Sequence, residues 1–176
     1  MPAEPAVLME IDRVSKRYGG VVALDGVSFQ VAEGRITALI GPNGAGKTTL
    51  LSIVAGALSP TAGEVRLRDK RLNGRTPEER VRLGIARTFQ QAHVFGQMTV
   101  LENVMVGCHL RGQAGIVDAA LRLPRARREE EYVYLDALRY LNLVGLGSRA
   151  SEGAANLPFG QQRLLAIARA LACDPR

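Results

Sequence analysis

The run Gly41-Pro42-Asn43-Gly44-Ala45-Gly46-Lys47-Thr48 constrains this chain more than any other eight residues. It matches the phosphate-binding pattern G-x-x-x-x-G-K-[ST] in full, and that pattern belongs between a strand and a helix. Glycines allow the tight turn and let the backbone approach phosphate with no Cβ between them. The freed N–H groups and the helix N-terminus then form an anion cradle. Lys47 supplies a positive charge for the β- and γ-phosphates, and the Thr48 hydroxyl suits Mg²⁺. The flanks fit the pattern. Arg35–Ile40 is short, nearly all apolar and rich in β-branched residues, so it reads as a strand buried on both faces. A helix is expected from Lys47 to about Ala57, with Gly56 at its stop.

Upstream, Val7–Ile11 and Val27–Val31 read as strands, punctuated by turns at Gly19-Gly20 and Glu33-Gly34. Downstream, Gly63–Arg68 alternates like an edge or antiparallel strand, and Ile85–Phe89 is a second buried-strand candidate. Two capping boxes, Thr76-x-x-Glu79 with Pro77 and Thr99-x-x-Glu102, each open a helix, the second running to about Leu110. Residues 112–131 suggest a loop leading into a charged helix. That helix then becomes amphipathic, with Leu135, Leu138 and Leu141 on one stripe and Ala137 beside them. Leu164, Leu165, Ala168 and Leu171 make a similar stripe near the end.

Composition excludes several classes. With 23 basic and 17 acidic residues the formal charge is +6, a mild excess that permits anionic partners and selects none. Four Phe, four Tyr and no Trp leave little for a nucleic-acid stacking platform. No apolar run is long enough to span a bilayer, and the first residues, MPAEPAVLMEID, do not read as a secretory signal. Cys108 and Cys173 stand far apart without ligand-like neighbours, so a zinc site or disulfide framework is not expected and a reducing compartment is the default. His93 reads as a polar residue and His109 as a helix-end residue. None of the three lysines lies in an Asn-Lys-x-Asp guanine reader, which disfavours GTP.

A second motif completes the pattern. Leu157-Pro158-Phe159-Gly160-Gln161 is a glycine-containing turn at the start of the last helix, so it too can face an anion. With the P-loop, and with Thr49-Leu50-Leu51 following it, the chain resembles the ATP-binding subunits of ABC transporters. Leu157–Gln161 is similar to that family's LSGGQ signature, and Gly41–Thr48 to its Walker A. Gln90 falls where the family has its Q-loop, and Tyr18 where it has an aromatic residue that stacks on adenine. The stretches Gly84–Gln90, Val94-Phe95 and Met98–Val104, with the Arg-rich insertion before Tyr132, resemble the branched-chain amino acid uptake group.

The resemblance implies an α/β P-loop NTPase fold. It would have a RecA-like parallel core, an N-terminal antiparallel β region and an inserted helical subdomain. Residues 1–98 would hold the core, the antiparallel region, Walker A and Q-loop, 99–155 the helical subdomain, and 156–176 the signature and its helix. ATP and Mg²⁺ are the implied cofactors. Nucleotide contacts would come from Tyr18, Gly41, Pro42, Asn43, Gly44, Ala45, Gly46, Lys47, Thr48, Thr49, Leu157, Gly160 and Gln161. Lys47 and Gln90 would serve catalysis, and Thr48 and Gln90 the metal. Implied partners are a second ATP-binding subunit, transmembrane permease subunits and, indirectly, a solute-binding protein. The implied location is the cytoplasmic face of the membrane, with no nucleic-acid partner.

Two departures modify this expectation. Pro158 replaces the signature serine and offers neither a hydroxyl nor an N–H. The family's Walker B strand, with its carboxylates, follows the signature, and the chain reaches Arg176 first. The core is therefore expected to lack a strand and carry an unpaired edge. The 176 residues alone are expected to hydrolyse ATP poorly, and rapid phosphate release abolished by Lys47→Ala would contradict this. The alternative reading is a soluble non-transport ABC ATPase acting on DNA or ribosomes. A P-loop kinase would leave residues 157–172 unexplained.

Overall fold

A computed structural model describes residues 6–88, 94–109 and 124–176. The chain forms two compact units, Met1–Arg80 and Val81–Arg176.

The first unit is built on an antiparallel sheet of order β2-β1-β3-β4. Its strands are β1 (Val7–Tyr18), β2 (Val21–Ala32), β3 (Ala62–Leu67) and β4 (Lys70–Arg71). The tight Gly19-Gly20 turn makes β1 and β2 a hairpin, pairing Tyr18 with Val21 and Lys16 with Leu24. β1 bulges near Arg13, whose φ of 46° breaks the register with both neighbours. Gly63 packs against that bulge so closely that a Cβ would meet the Arg13 carbonyl. Ile11, Val14, Val65, Leu67 and Leu72 are buried in this unit, as are Leu50 and Ile53 of helix α1 (Lys47–Val54). α1 ends where Gly56 takes φ 84°, as the glycine predicts.

The strand expected at Arg35–Ile40 is not formed. Among the described residues no strand pairs with it, and Ile36 and Ile40 are 102% and 90% exposed. Burial on both faces of a parallel strand is supplied by distant neighbours, not by its own apolar content. Ile85–Thr88 is likewise outside any strand, with Thr88 exposed; Phe89, Gln90 and His93 lie outside the described residues.

The second unit is helical. α2 (Pro77–Arg82) crosses the division between units, followed by α3 (Val100–His109), α4 (Pro124–Leu143) and α5 (Phe159–Ala172). The segments 99–155 and 156–176 share one core here. Val100, Val104 and Cys108 of α3 meet Val133, Ala137 and Leu141 of α4 and Leu165, Ala168 and Ala172 of α5. The stripe on α4 therefore runs at i, i+4 and i+8 from Val133. Leu135, placed on the stripe by its i+3 spacing, is exposed, and so is Leu164 on α5. Gly107 lets α3 approach α5, since a Cβ there would lie 2.4 Å from the Arg169 carbonyl oxygen.

Both capping boxes form. Thr76 N–H donates to Glu79 at 2.7 Å, and Glu79 N–H to the Thr76 hydroxyl at 3.3 Å. Thr99 N–H donates to Glu102 at 2.7 Å, with the reciprocal bond at 3.1 Å. The backbone bond from Thr99, then its hydroxyl, holds the Glu102 carboxyl below its ordinary pKa. A lowered folded pKa stabilises above the unfolded value, about 4.3, and is lost as the pH falls through the folded one. Urea midpoints of wild type and Glu102→Gln are therefore expected to differ at pH 7 and converge towards pH 3. A gap independent of pH would contradict the assignment.

Candidate functional site

The P-loop gets its shape from two left-handed glycines, Gly44 at φ 83° and Gly46 at φ 80°. Gly46 is the N-cap of α1 and has no side chain to satisfy the first-turn N–H groups. Those donors therefore stay available to an anion, at the positive end of the helix. Gly46 also sits against the hairpin. A Cβ there would lie 2.5 Å from the Ala23 carbonyl oxygen and 2.6 Å from Leu24 Cδ2. Its role is thus double: left-handed backbone and close packing of helix on strand.

Gly41, Pro42, Asn43, Gly44 and Ala45 form the exposed turn, closed by Ala45 N–H donating to the Pro42 carbonyl at 3.2 Å. Lys47 reaches back over this turn. Its ammonium donates to the Gly41 carbonyl at 2.6 Å and to Pro42 at 2.5 Å. The cation is thereby held against the loop backbone, where phosphate oxygens could replace the carbonyls. Thr48 is exposed in the first turn and Thr49 half-buried. The donor set fits a metal nucleotide: N–H groups and an ammonium for phosphate, and a hydroxyl oxygen of the kind Mg²⁺ prefers.

Tyr18 ends β1, paired with Val21 two residues before the Ala23 that supports Gly46. Its ring is about half exposed, with the Lys16 ammonium 5.1 Å from its centroid and itself donating to the Ser59 carbonyl at 2.8 Å. The hairpin thus brings an available aromatic face and the P-loop to one end of the first unit.

The signature residues lie in the second unit. The helix expected from Leu164 starts at Phe159, so Gly160 and Gln161 belong to its first turn. Pro158 is the N-cap at φ −55° and ψ 149°, with no side-chain cap. Its carbonyl accepts from Gln161 N–H at 2.8 Å and Gln162 N–H at 3.0 Å. Leu157 is buried and anchors the turn, and Gln162 Nε2 donates to its carbonyl at 3.0 Å. Gly160 is open on the side a Cβ would occupy. The Arg163 guanidinium stacks on exposed Phe159, 4.5 Å from the ring centroid. The family's serine hydroxyl has no substitute in the Pro158 side chain.

Two residues that hold these parts were not signalled by the sequence. Arg80 is only 3% exposed. Nη1 donates to the carbonyls of Ile53 (2.5 Å) and Val54 (2.8 Å), Nη2 to Leu72 (2.7 Å), and Nε to Arg75 (3.2 Å). Burial, then nearby Arg75, lowers its pKa. Asn103 is fully buried; it accepts from Phe95 N–H at 2.9 Å and donates to the carbonyls of Phe95 (3.1 Å) and Thr99 (2.9 Å). It thereby fixes residues 95–99 onto α3. Beyond that segment, Val100 N–H and Leu101 N–H bond to the Glu152 and Ala150 carbonyls. Among the described residues no His, Cys, Asp and Glu cluster could hold a metal by itself, and no helix is long and apolar enough to cross a membrane.

The ABC transporter family model matches residues 24–176. The chain is 38% identical over 168 residues to the high-affinity branched-chain amino acid transport ATP-binding protein LivG of Salmonella typhimurium, covering 96% of this chain and 66% of that protein. Its fold matches the ADP conformation of MJ1267, an ATP-binding cassette of an ABC transporter. That match has a TM-score of 0.79 and 34% identity, and covers 97% of this chain and 66% of the other. A dimeric post-hydrolysis structure of the cassette MJ0796, bound to ADP and Pi, matches with a TM-score of 0.78 and 28% identity over 95% of this chain and 70% of that one.

Proposed function

Because this chain belongs to the ABC transporter family, we propose that it is the nucleotide-binding part of an importer subunit for branched-chain amino acids, where ATP binding and hydrolysis drive transport. The observation that carries the nucleotide reading is the open Gly46 cradle with Lys47 poised above it. The substrate assignment rests on the similarity to LivG.

In this reading residues 1–98 bind nucleotide, 99–155 form the helical subdomain, and 156–176 carry the signature. The first-turn N–H groups and Lys47 bind the phosphates, Thr48 offers its hydroxyl to Mg²⁺, and Tyr18 stacks on the adenine. Mg²⁺ supplies charge neutralisation at the phosphates when bound. The chain's own contribution is positioning and electrostatic stabilisation. By resemblance, Gly160 and Gln161 face the nucleotide of a second ATP-binding subunit, with the buried Leu157 anchoring their turn; the similar cassette MJ0796 is dimeric. Gln90 is assigned to the metal and water by resemblance. The further partners are membrane permeases and, through them, a solute-binding protein, at the cytoplasmic face of the membrane.

Tyr18→Ala is expected to weaken Mg-ATP about tenfold, the size of one base-stacking contact, and to leave pyrophosphate binding unchanged. Equal loss for both ligands would remove Tyr18 from the adenine site. Affinity purification from membranes tests the transport reading. Permease subunits are the expected companions, and ribosomes or DNA in their place would favour the non-transport alternative.

A further inference from the structure

We infer that Arg80 is a positioning residue for the nucleotide site, acting through α1 on the P-loop. This deepens the nucleotide-binding reading and rests on it. α1 has eight residues, Lys47–Val54, and is about 12 Å long, short enough to tilt as a rod. Its N-terminal end carries Gly46 and Lys47. Its C-terminal end presents the Ile53 and Val54 carbonyls, the negative pole of the helix, to the Arg80 guanidinium at 2.5 and 2.8 Å.

The same guanidinium is fixed from two further sides by the Leu72 and Arg75 carbonyls. Leu72 is itself fully buried, and the Arg80 backbone N–H is held by the Thr76 carbonyl at 3.1 Å. The space is closed on the Gly56 side, where a Cβ would lie 2.9 Å from Arg80 Cδ and Nε. The helix is therefore gripped at two points, by Gly46 on Ala23 and Leu24 and by Arg80 at the far end. With both grips in place, the direction of the first-turn N–H groups is fixed before any anion arrives. A buried cation at the negative pole also offsets the field that would repel phosphate along so short a helix.

The test compares wild type, Arg80→Lys and Arg80→Met in the 176-residue chain, with Mg-ADP and AMP as ligands and circular dichroism as the control for folding. A point-charge ammonium cannot bridge four carbonyls, and methionine keeps only the bulk. Mg-ADP affinity is expected to fall about threefold in Arg80→Lys and about tenfold in Arg80→Met, with AMP changed less than about twofold because it lacks the β-phosphate that the loop holds. A purely structural role would not grade with charge or with phosphate number. If Arg80→Met does not fold, Arg80→Lys decides alone. A folded variant with wild-type Mg-ADP affinity, or equal losses for ADP and AMP, overturns the inference. Failure of wild type itself to bind Mg-ADP would instead overturn the nucleotide reading, and the inference with it.

Discussion

Lys47→Ala is expected to weaken Mg-ATP by about 100-fold or more while leaving the chain folded. The ammonium now donates to the Gly41 and Pro42 carbonyls on an exposed loop. Losing bonds of that kind costs stability only about 1 kcal/mol, because water replaces them. Against phosphate the same ammonium makes charge-assisted bonds worth about 1.5–3 kcal/mol each, and two of them exceed the roughly 2.7 kcal/mol that equals 100-fold. Nucleotide-induced shifts of the melting temperature check this. The variant should melt near wild type without ligand and show no shift with Mg-ATP. A variant that keeps the shift would mean that phosphate does not meet Lys47.

Gly46→Ala should cost stability and binding together. Its φ of 80° carries a penalty of about 1–2 kcal/mol for any residue with a Cβ. The added carbon would also stand 2.5 Å from the Ala23 carbonyl oxygen, which belongs to the backbone of β2 and cannot swing aside. Overpacking of this kind adds about 1–3 kcal/mol. A total near 3 kcal/mol is expected in urea unfolding, with Mg-ATP binding lost because α1 must back away from the hairpin. Gly44→Ala is the informative comparison. Gly44 has a similar φ of 83° and nothing within 4 Å of a Cβ, so it should show the backbone penalty alone. Equal effects at the two positions would refute the packing role of Gly46.

The parts legible in the sequence are those whose chemistry is local. The P-loop turn, the Gly56 stop and both capping boxes depend on residues within about four positions of each other, and all are formed. The strand at Arg35–Ile40 had the right residues, but its partners had to come from elsewhere in the chain, and apolar content does not specify them. On α4 the leucines suggested an i+3 stripe. Leu141 and the adjoining Ala137 are buried as that reading expects, but Leu135 is exposed and Val133 is buried in its place. The i, i+4, i+8 spacing, rather than the leucines alone, selects the face packed on α3 and α5. Arg80 was hidden among twenty arginines. Its partners Ile53 and Val54 lie 27 and 26 positions away, and no local pattern marks an arginine that folding will bury. Asn103 was equally silent, although its partners are within eight residues, because a helical asparagine reads first as a solvated side chain.

The central claim is that this chain holds a nucleotide by its P-loop. Isothermal titration of Mg-ATP into the folded 176-residue chain, with Lys47→Ala beside it, tests that most directly. The account predicts saturable binding at one site per chain in wild type and none at the same concentrations in the variant. A folded wild-type chain with no saturable heat, or a variant that titrates like wild type, would contradict it.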